Sequence, residues 1–155
     1  MRYGLILGFI ACVQAQCQQP TIQADTGKQT VLTRADIEAL PRTKITVGPA
    51  DATVGYEGVL VGALLEKAGV TFGESLRGKR MASCLLVDAA DGYKVIFALP
   101  EIDPAFTNKQ VWVVFLRDGK PLGAKEGPYR IIVPDEKRMA RWVRQVNTLR
   151  IVAVP

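Results

Sequence analysis

Few side chains in this 155-residue sequence are able to do chemistry, and their types narrow the choice before any fold is considered. Histidine is absent, which removes Ser-His-Asp and Cys-His nucleophile systems, imidazole-ligated zinc or iron, and a histidine pH switch. Chemistry here would need carboxylates, lysine, tyrosine, a thiol or a bound cofactor. Asp88 and Asp91 flank the segment Ala89-Ala90-Asp91-Gly92. Two close carboxylates can split their pKa values and share acid–base work. An aspartate before glycine is also an ordinary turn residue, and Glu101 and Asp103 in LPEIDP have the same turn-like spacing. Cys84 lies in the apolar run MASCLLV and reads as a buried, inert thiol on an interior strand. No C-x-x-C pair accompanies it, so a zinc ribbon or a thioredoxin-like motif is excluded.

Cations gather late in the chain. Lys120, Lys125, Arg130, Lys137, Arg138, Arg141, Arg144 and Arg150 fall within 31 positions. Such a cluster neutralises an anion or simply forms a solvated surface, and spacing alone leaves both open. Nucleic acid is disfavoured, because a net charge of +5 is modest and stacking aromatics are few.

The elements that would position these residues can be read from periodicity. One domain is expected, and 48% hydrophobic residues suffice for a core. Residues 3–13, YGLILGFIACV, form an uncharged run ending at Val13-Gln14-Ala15, the pattern of an export signal cut after Ala15. Eleven residues are too few for a spanning helix, which needs about 20. Removing residues 1–15 takes away Cys12 and Arg2, leaving 19 basic and 15 acidic residues, net +4. The mature protein would be periplasmic or secreted, where Cys17 and Cys84 could pair or stay free. Residues 16–30 lack periodicity and read as a flexible leader, with a folded domain over 31–155.

Within that domain, Thr33-Arg34-Ala35-Asp36 is a capping pattern and Pro41 stops a short helix. Ile45 and Val47 alternate as in a strand, and residues 59–68 give a helix ended by Gly69. Strands are expected over 81–88, 94–99, 111–116, 129–133 and 149–154. Asp91-Gly92 and Asp118-Gly119 supply turns, and 135–145 reads as either helix or loop. The fold class is therefore α+β, a mixed β-sheet with few short helices.

The second half resembles the molybdopterin-binding domain of the sulfite oxidase family. The resemblance rests on Val87-Asp88-Ala89-Ala90-Asp91-Gly92-Tyr93, on Arg117-Asp118-Gly119-Lys120-Pro121-Leu122, and on Gly127-Pro128-Tyr129-Arg130-Ile131-Ile132-Val133-Pro134 followed by Arg141-Trp142-Val143. These are similar, in order and spacing, to the family's N-G-x-P-L turn, P-x-R-x-x-V-P strand and K-W pair. The resemblance covers residues 31–154 and implies that family's fold. It implies that Arg130 lies near a pterin, where a guanidinium fork can hold phosphate or a carbonyl. Arg141 would contact the pterin phosphate, and Lys125 stands where full enzymes have a histidine. Asp91 and Tyr93, on the turn beside them, complete the cofactor-binding set.

Two departures bear on activity. The family's oxidoreductases hold molybdenum through a cysteine in a C-x-G context. That column falls on Ala89, whose methyl group cannot ligate a soft metal. The basic, aromatic segment that closes over the pterin is also missing. The resemblance thus implies an exported, molybdopterin-binding-domain-like protein, non-catalytic or accessory to a redox system. Its partners would be a small anionic or pterin-like ligand or a redox protein, with no membrane span. The alternatives are a genuine molybdopterin-dependent oxidoreductase with an atypical site, and a structural or interaction domain with an empty pocket. Arg130 and Arg141 are expected to share a pocket near the 89–93 turn, with Lys125 at its rim. Arg130 would there meet a ligand phosphate or a protein carboxylate such as Asp88, Asp91 or Glu126.

Overall fold

The computed structural model describes residues 20–24, 27 and 29–154. The expected export signal at 1–15 and Cys17 lie outside the described residues.

Among the described residues, ten strands form two sheets. The first has the order β2(Gln29–Val31), β1(Thr21–Gln23), β10(Val146–Ala153), β5(Ser83–Ala89), β6(Lys94–Ala98). It is mixed, because β1 runs parallel to β10 while the other pairs are antiparallel. The second has the order β3(Thr43–Val47), β4(Val54–Leu60), β7(Trp112–Arg117), β8(Lys120–Pro121), with β9(Arg130–Ile132) also paired to β7. Strict alternation along β5 explains how the first sheet meets the core. Leu85, Val87 and Ala89 are buried on one face, while Cys84, Leu86 and Asp88 are half-buried on the other. Both sheets and helix α2(Val61–Lys67) contribute to one apolar cluster. The fold is α+β with few short helices, as the sequence predicts.

Helix α1(Arg34–Glu38) begins at the expected N-cap. The Thr33 hydroxyl oxygen accepts from the Asp36 amide at 3.2 Å, and the Asp36 carboxylate accepts from the Thr33 amide at 3.0 Å. Asp118 and Gly119 both take positive φ, 49° and 75°, which closes the β7–β8 hairpin.

Three expectations need correction, and one left open is decided. The segment 16–30, read as a leader, contains β1 and most of β2, and Ile22 of β1, paired between β2 and β10, is fully buried. Its strands are three residues long, too short for alternation to stand out against Gln and Thr. The helix expected over 59–68 begins only at Val61, because Val54–Leu60 is strand β4 and Leu60 is its exposed last residue. Gly55 and Gly58 had obscured that strand. Segment 135–145 is loop apart from a 3-10 turn, Met139–Arg141. Cys84 does lie on an interior strand, but its side chain faces away from the core and is half-buried.

Candidate functional site

Strand β9 carries Arg130 opposite Val114 of β7, on the same sheet face as Gly58 and Tyr56 of β4. The side chain is only 7% exposed. Its Nη1 donates to the Glu126 carboxylate and, at 3.2 Å, to the Tyr56 hydroxyl. The guanidinium lies over two rings, 5.7 Å from the Tyr56 centroid and 5.6 Å from that of Trp142. Arg117 approaches the same Tyr56 ring and donates to Glu126 at 3.3 Å. One carboxylate thus serves two guanidiniums in a largely desolvated place. Arg130 Nε is buried without a hydrogen-bond partner among the described residues.

Arg141 turns to different acids. It donates to Glu136 and, at 3.2 and 3.3 Å, to Glu101, and its guanidinium stacks on Phe97 at 4.6 Å. Lys109 joins the same pair, 2.9 Å from Glu101 and 3.2 Å from Glu136. Two acids and two bases close a neutral quartet. Partial burial raises the Glu101 carboxyl's pKa, but hydrogen bonds from Arg141, Lys109 and the Ala98 amide outweigh it and hold the group down to about 2. Arg141 is pushed above its ordinary value: burial opposes the charge, and Glu101 and Glu136 more than restore it.

The loops around the 89–93 turn converge on Gln145, a non-glycine residue at φ 49°. Its carbonyl accepts from the Ala90 amide and its own amide donates to Glu126 O, both at 2.9 Å, while Nε2 donates to Ala124 O at 2.7 Å. These contacts hold the backbone in a sparsely populated region. Beside them is an open cleft of about 220 Å³, lined by Asp91, Tyr93, Met139, Ala140, Trp142 and Arg144. The Tyr93 hydroxyl donates to Ala140 O at 2.7 Å, and Asp91 accepts from the Tyr93 amide. Of the five expected cofactor residues, Asp91 and Tyr93 line this cleft, and Lys125 is exposed on the 124–126 loop that abuts Gln145. Arg130 and Arg141 do not line it; Trp142 stands between the cleft and Arg130. Sequence reasoning missed Tyr56, Lys109 and Glu136. Only the i, i+4 spacing of Glu126 and Arg130 could have signalled a partner.

A molybdopterin would need a thiolate near these arginines. Cys84 is the one free thiol among the described residues, on the opposite sheet face from Ala89 five positions on, so no register shift by an even step brings it there. Ala89 is a buried methyl, and no group of three metal-binding side chains is gathered among the described residues. The residues present do not fit a metal-bound pterin.

A two-sheet α+β domain with a mixed first sheet is the class these features define. Among solved structures the chain is similar to the sulfane dehydrogenase SoxCD from Paracoccus pantotrophus, at 22% identity and a TM-score of 0.65, over 88% of this chain and 39% of that one. The chain therefore spans well under half of that neighbour, and what the two share is the fold. No protein-family model and no curated protein matches the sequence. Among the described residues no helix is long and apolar enough to cross a membrane.

Proposed function

We propose that this chain is an exported, non-catalytic member of the molybdopterin-binding fold that serves as an accessory domain to a redox system. The observation that carries the reading is the fate of the two arginines on which cofactor binding would depend. Glu126 pairs with Arg130 while Asp118 also reaches Arg117, and Glu101 with Glu136 pairs with Arg141 and Lys109, so both guanidiniums already have carboxylate partners in place of a phosphate. Likeness to SoxCD supports the redox setting through the fold alone.

A second reading keeps an anionic or pterin-like ligand, and one observation favours it: the unpaired, buried Nε of Arg130. Metal and pterin analysis of protein purified from its own host separates the two. The accessory reading expects neither molybdenum nor pterin at stoichiometric level. Stoichiometric molybdenum would overturn it, and pterin without metal would favour the second.

A further inference from the structure

Four of the late arginines are held by acids, yet one group of cations beside the cleft is not. Arg117, Arg130, Arg141 and Arg150 each meet a carboxylate. Lys137, Arg138 and Arg144 are exposed and form no ion pair among the described residues. They bracket the 3-10 turn Met139–Arg141, whose Met139 is 63% exposed. Tyr93, 49% exposed, stands against that turn, anchored by its hydrogen bond to Ala140. Asp91, Tyr93, Met139, Ala140, Trp142 and Arg144 together wall the 220 Å³ cleft.

We infer that this cleft is a docking surface for an acidic protein segment bearing an aromatic or large apolar anchor. The inference rests on the accessory reading above and names the chemistry of its partner. Aromatic, methionine and arginine side chains are the types that carry interface energy, and here they surround a recess open to solvent. The Tyr93 and Trp142 positions are fixed by hydrogen bonds to Ala140 and Val133, so little ordering is needed on binding. Arg144 lines the recess and the exposed Lys137 and Arg138 immediately precede Met139, so the local cations outnumber the one lining carboxylate, Asp91, and give attraction toward an acidic segment. A small phosphate would leave the exposed Met139 and Tyr93 unused. A nucleic acid would need a longer basic track than a net charge of +5 supplies.

The test uses the full chain and an eight-residue peptide of Asp and Glu with one central Phe, titrated by calorimetry and by amide chemical shifts. Binding is expected at low salt, weakening at least tenfold at 0.5 M salt, with shifts centred on Tyr93, Met139, Trp142 and Arg144. The same peptide with Ala for Phe is expected to bind several-fold more weakly. Arg138→Glu with Arg144→Glu should lower affinity at least tenfold without moving the thermal midpoint. If that double variant unfolds, Arg144→Gln alone should weaken binding several-fold. No peptide binding, binding indifferent to these changes, or equal affinity for inorganic phosphate or a short DNA duplex would overturn the inference. The metal analysis above can fail independently, so the two outcomes are distinguishable.

Discussion

Arg130 illustrates what a cation must find when folding takes it out of water. Its guanidinium has a carboxylate partner and lies over two aromatic rings, so charge, hydrogen bonding and ring quadrupoles all compensate lost hydration. Arg130→Met leaves Glu126 with only the half-exposed Arg117, and urea unfolding should show a loss of about 3 kcal/mol. Arg130→Lys should recover only part of it, since an ammonium cannot lie flat over Tyr56 and Trp142. Glu101 gives a second test at this scale. Its folded pKa of about 2 lies below the ordinary 4.5, so the stability it contributes is present above pH 4.5 and lost as pH falls toward 2. With its side chain one-third exposed, solvent screening reduces that contribution to on the order of 1 kcal/mol. Urea midpoints of the native chain and Glu101→Gln should therefore differ at pH 7 and converge only as the pH is lowered toward 2.

At the scale of elements, β4 is the strand on which the arginine site depends, because it brings Tyr56 to Arg130 and crosses β7 at a bulge between Glu57 and Gly58. Gly58 is required there by close approach: a Cβ would stand 2.2 Å from Val113 O and 2.6 Å from Val114 Cα. Neither contact is a flexible side-chain end, so Gly58→Ala must push β4 from β7. It should lower stability by about 2 kcal/mol in urea unfolding. That same glycine, with Gly55, hid β4 from a reading by apolar periodicity. The longer, alternating or β-branched runs behaved otherwise: β5, β6, β7 and β10 lie within a few residues of where their patterns put them. Helix α1 was legible because capping is local, depending on residues three apart.

For the whole molecule, the export reading has a direct check. Mass spectrometry of the native protein should find a chain beginning at Gln16, in the periplasm or medium; a chain still beginning at Met1 would refute it. By itself the sequence determined the α+β class, most strands, the Asp-Gly turns and the chemistry denied by a lack of histidine, because these follow from local pattern and residue type. It also brought Arg130, Arg141 and Trp142 forward as the residues to watch. Which acids would answer the two arginines was decided only by tertiary structure. Glu126 was one of three candidates for Arg130, while Lys109, Glu136 and Glu101 reach Arg141 from 5 to 40 positions away or through shared partners. The place of β1 was settled the same way: a three-residue strand too short to signal itself is fixed by its parallel pairing with β10, far along the chain. Long-range pairing and charge compensation depend on which segments meet in space, and local periodicity carries no record of that.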